Sequence, residues 1–154
     1  QVTLSHSGRT WSLMRSPGNK EWVLPVGQEL AGTIDSELID QLVLALHSNS
    51  FRVGRYFPEL SAAEQPNATD LHGLTKRRAP WILRFRSVDA SVKFQRLDIG
   101  KLVEGSEPVE YYARAVDLDV PIFSVGDEVP SLLKRLYTHL QGVAGSAHGK
   151  PSTP

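Results

Sequence analysis

Residues 22–46 read WVLPVGQELAGTIDSELIDQLVLAL, and the spacing of the apolar residues changes in the middle of this stretch. Trp22, Leu24 and Val26 are two residues apart, which is the period of a half-buried strand. After Gly32 the apolar residues recur at intervals of three and four, which is the period of an amphipathic helix. The chain therefore passes here from strand to helix.

The helical part carries its apolar side chains on one face. They are Ile34, Leu38, Ile39, Leu42, Val43 and Leu46. We predict a helix over about 34–48, with Thr33 as its N-terminal cap. Asp35 and Glu37 stand in its first turn, where the exposed backbone amides favour negative charge.

The residues before this stretch predict an antiparallel meander. Apolar residues two apart recur over 2–4 and 11–13, and Ser7-Gly8 between them suits a tight hairpin. The sequence SPGN at 16–19 is a second turn cluster, since proline fixes φ and glycine and asparagine tolerate positive φ.

The second half of the chain repeats this order of strands and a helix. Its four or five predicted strands carry Trp81, Leu83 and Phe85, then Val92 and Phe94, then Leu97 and Ile99, then 111–116, then 120–125. The change of parity between Phe94 and Leu97 predicts a bulge or bend. In the following helix we expect Asp127 as the cap, Pro130 in the first turn and Gly142 just past the end.

These patterns predict an α+β fold in which two amphipathic helices pack on one face of a mainly antiparallel sheet. We expect one domain over 1–142, with 61–74 as a surface loop and 143–154 as a flexible tail rich in small residues. The similar order of elements suggests a pseudo-repeat of 1–60 and 75–142.

The composition excludes several classes of protein. With 40% apolar and 22% charged residues the chain resembles an ordinary globular domain, and the absence of cysteine removes disulfides and thiolate chemistry. The apolar runs are far shorter than the roughly 20 residues that cross a bilayer, so we expect no membrane insertion by this segment. Because position 1 is Gln1 and not methionine, we interpret the chain as a mature fragment or an excised domain.

The charges balance overall, with 17 basic and 17 acidic residues, but they are unevenly distributed. Residues 70–101 carry eight Lys or Arg against three Asp, whereas 102–129 carry seven acids against Arg114 alone. We expect opposite charges of these two stretches to pair across neighbouring strands. The alternative is a nucleic-acid face, since a basic run at 76–78 precedes Trp81 and Phe85, but a solvated loop explains that run better and nucleic acid is not the favoured partner.

Motifs that would indicate a reaction are missing from the sequence. The histidines His6, His47, His72, His139 and His148 show no spacing that puts two metal ligands on one surface. There is no G-x-S-x-G elbow and no glycine-rich phosphate loop, and Asp117 and Asp119 are expected to face solvent. We expect Trp11, Trp22 and Trp81 to pack in the core. No catalytic, cofactor-binding or metal-ligating residue is assigned, and no cofactor is expected.

Several short motifs follow one another in a characteristic order. They are Trp11-Ser12-Leu13, the helix residues above, His72-Gly73-Leu74, Leu97-Asp98-Ile99-Gly100 and Tyr111-Tyr112-Ala113-Arg114. In this order they resemble the bacterial family called domain of unknown function 4340, over about residues 2–140. The resemblance implies an extracytoplasmic domain that is tethered by a separate membrane anchor and accompanies transporter components, with Arg114 as a cross-strand partner of an acid.

We therefore expect a non-catalytic binding or accessory domain of a bacterial envelope protein, in some cases part of a transporter complex. Its sheet surface or edge would contact another protein or an envelope polymer. Two alternatives remain open. One is a hydrolase whose site combines His72 with Asp70, and the other is weak nucleic-acid binding by the basic half.

Overall fold

The computed structural model describes residues 1–16, 18, 20–25, 32–47, 53–60, 72–74, 80–86 and 96–145. The strands are β1 (Val2–His6), β2 (Arg9–Arg15), β3 (Trp22–Val23), β4 (Val53–Phe57), β5 (Trp81–Phe85), β6 (Arg96–Leu102), β7 (Glu110–Ala115) and β8 (Ile122–Gly126). The helices are α1 (Ser36–His47) and α2 (Glu128–Gly145), and a single 3-10 turn spans Pro58–Leu60.

The strands form one sheet in the order β3-β2-β1-β5-β6-β7-β8-β4, and every neighbouring pair is antiparallel. The meander β5–β8 thus lies between β1 and β4, although β4 comes before it in the chain. The predicted α+β class, with a mainly antiparallel sheet, is confirmed. The strand β4 pairs with β8 of the second half. The pseudo-repeat of 1–60 and 75–142 stays a prediction.

Both helices pack on one face of the sheet, which we call the helix face; the opposite face is the polar face. Because side chains alternate along a strand, each strand points one row of apolar side chains towards the helices, and these rows form the hydrophobic core together with the helices. Its fully buried members include Leu4, Leu13, Leu83, Leu97, Ile99, Leu42, Leu133, Leu136 and Leu140. Trp22 and Trp81 are buried in this cluster and Trp11 packs against it half-buried, so the predicted core role of the tryptophans is confirmed.

Helix α1 begins two residues later than predicted, and its cap is Asp35, so the prediction of Thr33 was wrong. The Asp35 carboxylate oxygen Oδ1 accepts a hydrogen bond from the backbone amide of Leu38 at 3.1 Å. Aspartate is a better cap than threonine because its charged oxygen also interacts favourably with the helix dipole.

Helix α2 follows its predicted start but extends past its predicted end. Asp127 immediately precedes it and accepts a hydrogen bond from the Ser131 hydroxyl at 2.8 Å, and Pro130 lies in its first turn as expected. The helix continues through Gly142 to residue 145, so the predicted stop at Gly142 and the tail boundary at 143 were wrong. The side chain of Val143 lies against Gly32, and this tertiary contact supports the additional turn.

The predicted hairpin between β1 and β2 is confirmed. Ser7 and Gly8 both have positive φ, at 49° and 77°, as the two central residues of a type I′ turn require. The turn that leads to β3 is closed by a hydrogen bond from the Ser16 amide to the Glu21 carbonyl at 2.8 Å. The proline and asparagine of this turn lie outside the described residues.

A bulge interrupts the pairing of β6 with β7. The register shifts between Ile99 and Leu102, which leaves the amide of Lys101 free of the ladder, and this amide donates to the His72 carbonyl at 3.0 Å. The predicted bend between Phe94 and Leu97 is not tested, because residues 87–95 lie outside the described part. The bulge at 100–101 anchors residues 72–74 on the polar face.

Among the residues that the structure describes, no helix is long and apolar enough to cross a membrane.

Candidate functional site

The polar face carries charged residues on the central strand β6. Arg96 and Asp98 alternate there with Leu97 and Ile99, which are buried on the helix face. Asp98 has 0% exposure, although burial of a carboxylate is costly unless cations compensate its charge. Its surroundings must therefore supply positive charge.

Two arginines supply it. Arg96 binds the Asp98 carboxylate through one edge of its guanidinium, with Nε 2.7 Å from one oxygen and Nη2 2.9 Å from the other. Arg114, which lies directly opposite Asp98 on β7, adds a contact from Nη2 to Oδ2 at 3.3 Å. The expected role of Arg114 as a cross-strand partner of an acid is thus confirmed. Both carboxylate oxygens are engaged.

We expected the cation of such a pair to come from the basic stretch 70–101 and the acid from the acidic stretch 102–129, and this pair has the opposite arrangement. The acid comes from the predominantly basic stretch 70–101, and the cation is Arg114, the one basic residue of the acidic stretch 102–129. The reason is geometric, since a partner must lie opposite its mate on the same face of the sheet, whatever the average charge of its neighbours.

Arg114 also binds the segment that crosses the polar face. Its Nη2 donates to the Leu74 carbonyl at 3.2 Å, and the Leu74 side chain packs against Gly100 of β6. Its Nε is buried and has no hydrogen-bond partner among the residues that the structure describes. The ion cluster of Arg96, Asp98 and Arg114 therefore holds residues 72–74 over the centre of the sheet.

His72, the candidate of the hydrolase alternative, lies in this segment. Its ring packs against Tyr112 with the ring centroids 4.2 Å apart. Burial lowers the pKa of His72 below its ordinary value of 6.5, and the neighbouring Lys101 ammonium lowers it further. Its proposed partner Asp70 lies outside the described residues, so the hydrolase alternative stays a prediction.

His6 and His139 make structural contacts. The His6 ring stacks on Trp81 at 3.9 Å and its Nδ1 contacts the Pro80 carbonyl. His139 Nε2 accepts a hydrogen bond from the Asp35 amide at 2.9 Å, which ties α2 to the start of α1. Over the residues that the structure describes, no three His, Asp or Glu side chains are grouped so that they could hold a metal ion.

A cleft opens on the polar face at the end of β5, and we call it the arginine cleft. Its volume is about 530 Å³, and its lining includes Thr3, Arg84, Arg86, Arg96 and Asp117. Arg84 lies directly opposite Arg96 on β6 and opposite Thr3 on β1. Arg84 and Arg86 are both exposed, and in the described part of the chain their side chains form no ion pair.

Hydroxyl groups continue the polar face from the cleft across β1 and β2. The Thr3 and Ser12 hydroxyls are 3.3 Å apart, and those of Ser5 and Thr10 are 3.0 Å apart. Thr10 is exposed and the other three are half-buried. This part of the polar face therefore offers hydroxyls beside guanidinium groups.

The predicted solvent-facing position of Asp117 and Asp119 is confirmed, since both are exposed in the turn between β7 and β8. The basic run at 76–78 lies outside the described residues. The sequence patterns did not identify Asp98, Arg96 and Arg84 as residues of a functional site. The alternation R-L-D-I over 96–99 was the signal for the first two, because it places Arg96 and Asp98 on one face of a strand.

Comparisons with family models, with curated proteins and with solved structures give no match to this chain.

Proposed function

We propose that this chain is a non-catalytic binding or accessory domain of a bacterial envelope protein, and that it binds an anionic partner through its polar face. The observation that supports this proposal best is the pair of exposed arginines, Arg84 and Arg86, beside the hydroxyl rows of β1 and β2. Surface cations and hydroxyls on a rigid sheet are suited to recognition, because they donate hydrogen bonds without rearrangement.

The ion cluster supports a binding role over a catalytic one. A catalytic carboxylate needs an oxygen that can exchange a proton with a substrate. Both oxygens of Asp98 accept from guanidinium groups, and the residue has no exposed surface. We infer that Asp98 orients Arg96 and Arg114.

The resemblance to the bacterial family supports the envelope part of the proposal. Several of the residues that carry the resemblance in the second half lie on the polar face: Gly73-Leu74, Asp98, Gly100 and Arg114. In this proposal the domain works outside the cytoplasmic membrane, held there by an anchor elsewhere in its protein, and a transporter complex is its expected setting.

Weak nucleic-acid binding is the second candidate, and one observation favours it. Arg84 and Arg96 lie side by side on adjacent strands, and exposed arginines on a sheet suit a phosphate backbone. The balanced overall charge provides no long-range attraction for a polyanion, so this candidate ranks below an envelope partner.

A comparison of two bulky variants tests the proposed function. The immobilised domain is exposed to a bacterial envelope extract, as wild type, as Thr10→Trp on the polar face and as Gln141→Trp on the exposed side of α2. We expect the wild type and Gln141→Trp to retain the same partner, and Thr10→Trp to lose it. Purified partner then has to bind directly with the same ranking of variants. Equal retention by all three proteins, or by none, would contradict the proposal.

A further inference from the structure

We propose that the arginine cleft is a binding site for a polyvalent oxyanion of the phosphate class, such as a pyrophosphate or a phosphate ester. This inference rests on the proposed function, because the cleft opens on the polar face. It adds the chemical class of the ligand and the side chains that hold it.

The described lining of the cleft has more positive than negative side chains. Two arginines directly opposite each other on neighbouring strands repel each other, and this repulsion destabilises the pairing of the strands. Asp98 compensates Arg96, but within the described part of the chain Arg84 has no acid of its own. A bound anion would relieve this repulsion. Asp117 is the carboxylate among the described lining residues, and it leaves the arginines in excess.

The second argument is the fixed orientation of Arg96. A guanidinium has five N–H donors, and the carboxylate of Asp98 occupies donors on Nε and Nη2 only. The remaining donors are available to a ligand, and their positions are set by a bidentate contact to a fully buried residue. Preorganisation of this kind reduces the entropic cost of binding. Asp98 is thus a positioning residue for the site.

The third argument is the match between the lining groups and a phosphate. Planar guanidinium groups bind phosphate oxygens in pairs, and the Thr3 hydroxyl on the neighbouring strand can donate a further hydrogen bond. A ligand with several charged oxygens can contact Arg84, Arg86 and Arg96 together. A volume of about 530 Å³ is within the range of sites for small ligands.

Calorimetric titration with pyrophosphate tests this site directly on the purified chain. The wild type is compared with Arg84→Gln and Arg86→Gln, and with Arg9→Gln as the matched control. Arg9 is also exposed, but it lies at the β1–β2 hairpin, at the other end of these strands. We expect one saturable site, a weakening of about tenfold or more in each cleft variant, and wild-type affinity in the control.

Vesicles that contain phosphatidic acid, whose headgroup is a phosphate monoester with two ionisable oxygens, distinguish the two sources of the ligand. Cosedimentation that Arg84→Gln abolishes and pyrophosphate competes away would assign the site to a lipid headgroup, and pyrophosphate binding without cosedimentation would assign it to a soluble phosphate. Either result supports the site.

Two results would overturn the inference. The first is the absence of saturable binding of pyrophosphate, or equal affinity in Arg84→Gln and Arg9→Gln. The second is binding of single-stranded DNA that Arg84→Gln abolishes and pyrophosphate does not displace, which would favour nucleic acid as the ligand of the cleft. If pyrophosphate fails to bind while Thr10→Trp still loses its partner, the inference fails and the proposed function stands. If pyrophosphate binds and no partner is retained, the proposed function fails instead.

Discussion

At the scale of single residues, Asp98 is the charged residue that is fully buried in the described part of the chain. Its burial is balanced by two guanidinium groups, one from its own strand and one from β7. The Arg114 contact also reaches the Leu74 carbonyl, so the cluster connects the sheet to the segment that crosses it.

Replacing Asp98 by asparagine should therefore destabilise the fold strongly. Asp98→Asn leaves two guanidinium groups close together without a counter-charge, and breaking a buried ion pair in this way costs about 3–5 kcal/mol. Denaturant unfolding measures the loss. The control is Arg15→Gln, which breaks an ion pair to Asp40 whose side chains are 47% and 45% exposed, and which should cost less than about 1 kcal/mol. Similar losses in the two variants would contradict the role of the cluster.

His72 should make the stability depend on pH. Its pKa is lower in the folded protein than the ordinary 6.5, so the unfolded chain binds the proton more tightly. The contribution of neutral His72 is then complete above pH 6.5 and is lost as the pH falls below that value towards the lowered pKa. The effect is small, because the ring is only partly buried.

The measurement is the unfolding free energy of the wild type and of His72→Gln between pH 8 and pH 5. We expect the unfolding free energy of the wild type minus that of His72→Gln to be constant above about pH 6.5 and to decrease on acidification. A difference that stays constant over the whole range, or grows on acidification, would contradict the assigned direction.

At the scale of elements, the β6–β7 bulge and Gly100 decide where the covering segment lies. A Cβ atom at position 100 would come within 3.0 Å of the Leu74 side chain and would also strike the His72 carbonyl. Backbone cannot yield as a flexible side chain does, so only glycine fits beneath this segment.

Gly100→Ala should consequently cost about 1–3 kcal/mol, the usual cost of overpacking. Gly126→Ala is the matched control, since an added Cβ there meets nothing within 4 Å. Thermal unfolding of both variants measures the contrast. If the Gly100→Ala protein is as stable as Gly126→Ala, residues 72–74 do not pack closely against the sheet at position 100.

The cap of α1 provides a second test at this scale. Asp35→Ala removes the acceptor of the Leu38 amide and should cost about 0.5–2 kcal/mol, whereas Thr33→Ala should change the unfolding free energy by less than about 0.5 kcal/mol. The reverse ranking in denaturant unfolding would restore Thr33 as the cap.

These elements show what the sequence predicts well and what it leaves undetermined. The change of apolar period after Gly32 correctly predicted α1, because local spacing determines which face of an element can be buried. The same spacing missed the cap and the end of α2, which depend on a hydrogen bond of Asp35 and a contact of Val143 with Gly32. The contact of Val143 with Gly32 is tertiary, so local propensity does not contain it. The hydrogen bond of Asp35 to Leu38 is local, but apolar spacing does not indicate which neighbouring polar residue caps the helix.

At the scale of the whole molecule, the order of strands explains why the polar face could not be anticipated. β1 pairs with β5, so Thr3 comes to lie opposite Arg84, although about eighty positions separate them in the chain. Alternation indicates the face on which a residue lies, but it does not indicate which strand is adjacent. The arginine cleft arises from this long-range pairing. The proposal that the polar face binds an anionic partner depends on it.

The most direct test of the binding role is an amide NMR titration of the intact chain with pyrophosphate at low salt. We expect the chemical-shift changes to concentrate at the amides of Thr3, 84–86 and Arg96, and the shifts of the amides of α1 and α2 to remain unchanged. Shift changes centred on the helices, or no shift changes at all, would contradict the binding role.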